Sequence, residues 1–140
     1  MEDIMKVVVQ RVKESSVTID GSVYGQIQKG FMVLVGFCQD DTKEIVDKIV
    51  DKMIGLRVFE DENGKMNLSL QDVHGSILSI SQFTLYADCK KGRRPSFIHA
   101  AKPEYAIPLY DYFNEKIKEH GIELQTGVFG ADMKVSLIND

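Results

Sequence analysis

Phe31-Met32-Val33-Leu34-Val35-Gly36-Phe37 is a nearly unbroken apolar run, preceded by the turn pair Lys29-Gly30. Such a run marks a strand covered on both faces. Upstream, Met5 to Val12 is rich in valine, with Val7, Val9 and Arg11 on one face and Val8, Gln10 and Val12 on the other. Val17-Thr18-Ile19 and Val23-Tyr24 flank Asp20-Gly21, a tight-hairpin signal because both turn residues tolerate positive φ. Downstream the period changes. Ile45, Val46, Ile49, Val50, Met53 and Ile54 fall at helical spacing, and Asp40, Asp41 and Thr42 offer capping oxygens and negative charge at the start. The spacing predicts an amphipathic helix lying on the sheet. Val58-Phe59 returns to strand, Asp61-Glu62-Asn63-Gly64 is a turn, and Ser76 to Tyr86 is the longest strand candidate. A second helix is expected from about Pro103 to His120, with Tyr105, Leu109, Tyr112, Phe113 and Ile117 on one face. Pro103 suits the first turn and Gly121 terminates it, whereas Pro108 removes a backbone bond and is expected to kink the helix unless the start lies later. Asp132 to Ile138 alternates Met133, Val135 and Leu137 as a last strand. The expected class is α+β: mostly antiparallel, barrel-like β-sheets with two main packed helices, in one domain spanning 1–140.

The 140 residues are 44% apolar and 27% charged, with formal net charge −4. A chain of this length buries about two-thirds of its unfolded surface, enough for a core without staples. The acidic balance excludes a protein that coats nucleic acid through overall charge. It leaves room for a local patch, since Lys90, Lys91, Arg93, Arg94 and Lys102 lie close in sequence; that patch reads either as a phosphate contact or as a solvated loop. No apolar run approaches the roughly 18 residues of a membrane span, and the N-terminus lacks the order of a signal peptide, so the expected compartment is the cytoplasm. Cys38 and Cys89 are far apart, and His74, His99 and His120 are scattered, giving no tetrahedral metal set. Cys89, beside Lys90 and Lys91, reads as a reduced thiol or as a reactive one.

No standard catalytic signature appears: no nucleophile elbow, phosphate loop, zinc motif or paired carboxylates. The unusual stretch is Ser81-Gln82-Phe83-Thr84-Leu85, where three polar side chains interrupt an apolar strand. Alternation places Ser81 and Phe83 on one face, Gln82 and Thr84 on the other. Polar groups at such positions are either satisfied core groups or a site.

The same stretch resembles the signature of the D-aminoacyl-tRNA deacylases, also called D-tyrosyl-tRNA deacylases. Other segments fall in the family's order: Gln10-Arg11-Val12, Gly64-Lys65-Met66-Asn67-Leu68, Arg94-Pro95-Ser96-Phe97, Tyr110-Asp111-Tyr112-Phe113, Gln125-Thr126-Gly127 and Ala131-Asp132-Met133 through Ser136-Leu137. The resemblance spans nearly the whole chain from Met5. Met1 to Ile4 precede the usual family start and are expected to have no role. The family continues from Asn139-Asp140 into a Gly-Pro-Val-Thr segment, whose cis Gly-Pro enters the partner subunit's site. Its absence is expected to reflect a clipped sequence rather than a lost chiral gate.

The resemblance implies hydrolysis of the ester joining a D-amino acid, or glycine, to the terminal ribose of tRNA, with rejection of L-aminoacyl-tRNA and no cofactor or metal. Aminoacyl esters are already activated, so placing water and stabilising the oxyanion suffices, consistent with a sequence lacking a triad. Backbone N–H groups of Gln82, Phe83 and Thr84 are the candidate donors, with Ser81 beside them. Thr84 reads as a nucleophile or, preferably, as a group that orients substrate while the ribose 2′-OH assists. Main-chain walls that admit only hydrogen at one position of the α-carbon would exclude L side chains. The resemblance also implies that Arg11 braces the partner's Gly-Pro, that Phe129, Ala131 and Met133 line the terminal-adenosine pocket, and that Lys90, Lys91, Arg93 and Arg94 meet tRNA phosphates. The implied assembly is a homodimer with sites at the subunit interface. Competing readings are a tRNA-binding module on the same fold without hydrolysis, and a self-associating structural protein.

Overall fold

A computed structural model describes residues 4–140; Met1, Glu2 and Asp3, part of the upstream extension, lie outside the described residues. The valine-rich start and Val17–Ile19 form one long strand, β1 (Lys6–Ile19). It turns at Asp20-Gly21, both at positive φ (52° and 80°), into β2 (Ser22–Ile27), as the hairpin signal requires. β3 (Gly30–Gly36) is the apolar run. Then come α1 (Lys43–Gly55), a short hairpin of β4 (Phe59–Glu60) and β5 (Met66–Leu68), and β6 (Ser76–Ser81). A 3₁₀ turn (Phe83–Tyr86), α2 (Pro103–Glu119), β7 (Glu123–Thr126) and β8 (Met133–Asn139) complete the chain.

Thr42 caps α1, its hydroxyl accepting from the Ile45 N–H at 3.3 Å. The neighbouring Asp41 carboxylate instead accepts from the backbone N–H of Cys38 (2.7 Å) and Met5 (2.8 Å). α2 begins at Pro103 as expected, runs on through Pro108, and ends at Glu119; just beyond it the Gly121 N–H bonds the Lys118 carbonyl at 2.9 Å, and the φ of 81° at Gly121 turns the chain away.

The main sheet runs β2-β1-β3-β6-β7, with β8 also paired to β1. β1 serves three partners because of its length: Lys6–Val12 pairs with β3, and its second half pairs with β2 and β8, all antiparallel. β3–β6 and β6–β7 are parallel, because α1 and α2 lie in the connections that cross between them. The sheet is therefore mixed. Its outer strands β2 and β7 come together, a Cβ on Gly25 falling 2.9 Å from the Thr126 carbonyl oxygen, so the sheet nearly closes into a barrel. β3 is covered on both faces as the sequence implied: Phe31, Val33 and Val35 face α1 and α2, while Met32 joins Val12, Val17, Ile27, Leu78 and Ile80 inside the barrel. Among the described residues no helix is long and apolar enough to cross a membrane.

Candidate active site

The strand expected over Ser76–Tyr86 ends at Ser81. The Gln82 N–H makes a last bond to the Val35 carbonyl (2.8 Å), and the chain then coils, Leu85 N–H reaching the Gln82 carbonyl and Ala87 N–H that of Thr84. Gly36 permits this. A Cβ there would lie 2.9 Å from the Gln82 carbonyl oxygen and 3.3 Å from the Tyr86 ring, so only a residue without a side chain lets the turn sit on β3. Coiling overturns the two-face alternation: Ser81, Gln82 and Phe83 all line one cleft. Thr84 Oγ1 accepts a hydrogen bond from the Gln82 side-chain amide. The Gln82 N–H, engaged with Val35, is thereby removed from the candidate oxyanion donors. A helical turn leaves its first N–H groups without partners inside it, and here these belong to Phe83 and Thr84.

The cleft holds about 250 Å³, and its opposite wall is Phe129 to Met133 with Val135. Gly130, at φ 80°, shapes that loop. Gly127 leaves room for Met133, whose sulfur occupies the place a Cβ would take. Behind the cleft, the buried Tyr110 of α2 donates to the Ser79 carbonyl at 2.8 Å, and its ring lies 6.2 Å from that of Phe129. Burial pushes its phenol up from the ordinary value, so it stays a neutral donor. A second cavity of about 360 Å³ adjoins the first, sharing Ser81, Phe83, Phe129 and Gly130, and extends to Phe97, Lys102 and Pro103 at the start of α2. Phe83, 56% exposed, divides the two and meets Phe97 edge to face at 5.2 Å.

The opening residues of the chain grip the 3₁₀ turn from the other side. The Tyr86 hydroxyl donates to the Ile4 carbonyl, and Lys6 Nζ donates to the Leu85 carbonyl at 3.2 Å while lying 4.7 Å from the Tyr86 ring centroid. Ile4, expected to be idle, thus has a partner at the site. Asp41 holds the next residue, Met5; burial raises its carboxyl above the usual range, against the lowering effect of the two N–H bonds. The signal available for this grip was Tyr86, the aromatic residue that follows the Ser81–Leu85 motif.

Ser81, Gln82, Phe83, Phe129, Ala131 and Met133 therefore meet in one cleft, and Thr84 joins through Gln82. Arg11 does not. It lies in a separate groove of about 330 Å³ with Val9, Met66 and Asp140, its guanidinium donating to the Val58 carbonyl (2.6 Å) and to the backbone oxygen of Asp140. Lys90, Lys91, Arg93 and Arg94 stand exposed on a loop closed at its base by paired Asp88–Ser96 backbone bonds (2.7 and 2.8 Å), next to Phe97. Cys89 is exposed on the same loop and Cys38 is buried. Among the described residues no three His, Cys, Asp or Glu are grouped to hold a metal ion. Sequence reasoning missed Phe97 and Gly36 as walls; Phe97 lay within a matched segment, and its aromatic character was the available signal.

The family model described as D-Tyr-tRNA(Tyr) deacylase matches residues 8–140. A D-aminoacyl-tRNA deacylase of Bacillus cytotoxicus is 59% identical over 136 residues, covering 97% of this chain and 93% of that protein. Its counterpart in Exiguobacterium sibiricum is 60% identical, covering 97% and 94%. Among solved structures, one titled c-Myc DNA Unwinding Element Binding Protein superposes with TM-score 0.90 at 38% identity, covering 98% of this chain and 93% of that one. A probable eukaryotic D-amino acid tRNA deacylase superposes at 0.83 with 17% identity, covering 97% and 94%, which speaks to the fold alone.

Proposed function

The chain belongs to the D-Tyr-tRNA(Tyr) deacylase family and is a D-aminoacyl-tRNA deacylase, an ester hydrolase, and from this premise we propose how its cleft selects and cleaves its substrate. The substrate ester is D-aminoacyl-tRNA, with glycyl-tRNA also accepted and L-aminoacyl-tRNA rejected. The terminal adenosine lies between Phe129, Ala131 and Met133, and the acyl carbon sits against the 3₁₀ turn. The Phe83 and Thr84 N–H groups then face the developing oxyanion, where one aimed donor is worth about 3–4 kcal/mol. The single observation that supports this reading best is the meeting of Ser81-Gln82-Phe83 with Phe129–Met133 in one cleft, beside N–H groups unclaimed by their own turn.

Thr84 acts as a positioning group. Its oxygen is held by an amide, which donates a proton and cannot remove one, so this partner cannot activate Oγ1 as a nucleophile. Water attacks, the ribose 2′-OH assists, and the tRNA 3′-oxygen leaves as the free amino acid forms. Selection works by exclusion: an L side chain would be driven into walls of main chain, which cannot swing aside like a rotamer.

Arg11 serves a second copy of the chain. Its groove stands apart from the cleft, in keeping with a role in a homodimer that joins each subunit's groove to the other's site. The basic loop Lys90–Arg94 contacts acceptor-stem phosphates, and the enzyme works in the cytoplasm.

The test is the release of tyrosine from D-tyrosyl-tRNA and L-tyrosyl-tRNA by the wild type and Thr84→Ala. The wild type is expected to cleave the D ester alone. Thr84→Ala should lose roughly 5- to 100-fold in rate, the scale of one positioning hydrogen bond. A loss of about 10⁴-fold or more would restore the nucleophile. Equal cleavage of both esters would refute selection by exclusion.

A further inference from the structure

We propose that the second cavity, between Phe97 and the first turn of α2, receives the penultimate nucleobase of the tRNA acceptor end, so that the enzyme grips two successive bases. The inference rests on the reading that the first cleft takes the terminal adenosine. The two cavities share Ser81, Phe83, Phe129 and Gly130, so groups bound in them are immediate neighbours, as successive nucleotides are. The second cavity is the larger, about 360 Å³ against 250 Å³, and its walls suit a flat ring.

Phe83 and Phe97 form an edge-to-face pair with Phe83 more than half exposed, leaving aromatic surface in water at the boundary between the cavities. Nucleobases of any sequence stack on such surface. Charge completes the match. The exposed Lys102 lines the second cavity, where it can meet a phosphate of the nucleotide bound there, and the basic loop Lys90–Arg94 ends at the Asp88–Ser96 bridge directly before Phe97. A strand entering along that loop reaches Lys102 and then the cavity. A D-amino-acid side chain is the rival occupant. It fits the apolar wall but gives Lys102 and the loop nothing to bind.

The experiment compares the affinity of the full chain for adenosine monophosphate with that for cytidylyl-adenosine and guanylyl-adenosine, by titration calorimetry. Both dinucleotides are expected to bind roughly 5- to 100-fold more tightly than the mononucleotide, the range that stacking of one base gives, and within a few-fold of each other. Ala100→Phe, which adds bulk at another residue lining the cavity, and Phe97→Ala, which removes the platform, should each abolish that advantage. The Kd for adenosine monophosphate should change less than twofold in Ala100→Phe. Equal affinity for mono- and dinucleotides in the wild type overturns the proposal. So does a dinucleotide advantage that survives both variants, in particular where they instead change the relative hydrolysis of D-alanyl- and D-tyrosyl-tRNA, which would give the cavity to the side chain. Failure of the deacylase reading shows separately, as D-tyrosyl-tRNA left intact or cleaved no faster than its L form, because these affinities involve no ester.

Discussion

Gly36→Ala adds one methyl group between β3 and the 3₁₀ turn. Its Cβ would stand 2.9 Å from the Gln82 carbonyl oxygen, 3.3 Å from Tyr86 Cε2 and 3.5 Å from Leu85 Cβ. Ordinary contact begins near 3.4 Å, so the turn must retreat by about half an ångström. It is not free to do so, because the Gln82 N–H is bonded to the Val35 carbonyl at 2.8 Å and the Tyr86 hydroxyl to the Ile4 carbonyl. Overpacking at such a point costs about 1–3 kcal/mol, which for a chain of this size lowers Tm by roughly 3–12 °C. The same movement carries the Phe83 and Thr84 N–H groups away from the position proposed for the oxyanion. Since a 1 Å error in a catalytic group costs about 100-fold, half of that should lower kcat about tenfold, with a smaller change in KM. Thermal unfolding and single-turnover deacylation of D-tyrosyl-tRNA read the two effects. Gly55→Ala is the control: nothing lies within 4 Å of its Cβ, and alanine at this helix end should raise stability by about 0.5–1 kcal/mol. If Gly36→Ala keeps both the Tm and the kcat of the wild type, the argument that this glycine seats the catalytic turn is wrong.

The β4–β5 hairpin gives a pH-dependent expectation. The Asp61 carboxylate accepts from the Lys65 and Asn63 N–H groups and from the Asn67 amide, and these bonds, Lys65 first, lower its pKa below the ordinary value of 3.8. A lowered folded pKa means stabilisation that is present above the unfolded value and lost as pH falls through the folded one. The urea midpoint of Asp61→Asn should therefore lie below the wild type at neutral pH and meet it in strong acid; a gap that stays constant with pH would refute this. For the basic loop, the double substitution Lys91→Gln with Arg94→Gln should make the fall of log kcat/KM with log salt concentration shallower, by about 0.7–0.9 for each phosphate no longer neutralised. An unchanged slope would take the loop off the tRNA's path.

Much of the fold was legible because its determinants are local. The Asp20-Gly21 turn needs two residues tolerant of positive φ, and both adopt it. The period of Ile45 to Ile54 marks a helix face, and Thr42 caps it. The apolar run of β3 says that both its faces are covered, and they are. The Ser81–Leu85 motif pointed to the right place with the wrong geometry. Alternation assumes that a strand continues, whereas this one ends where its bonding to β3 ends, at Val35, far back in the sequence. Distant partners also explain the other differences. Asp41 reads as a helix cap until Met5 arrives beside it, and Arg11 finds backbone oxygens at positions 58 and 140 that no nearby residue announces. The parallel order β3-β6-β7 depends on helices packing back across the sheet, which neither strand encodes alone.

β1 leaves the ribosome long before β8, yet its second half pairs with that strand, Val12 opposite Asn139 and Ile19 opposite Met133. Translation proceeds at about 5–20 residues per second, so this edge waits several seconds, unzipped, until β8 emerges from the exit tunnel. The hairpin with β2 and the ladder with β3 can form early and shield part of it, but the wall that carries Met133 beside the cleft closes late. Nascent chains stalled before residue 133 should hence be sticky and without a finished cleft, and such high sequence separation sets a slow step in refolding as well.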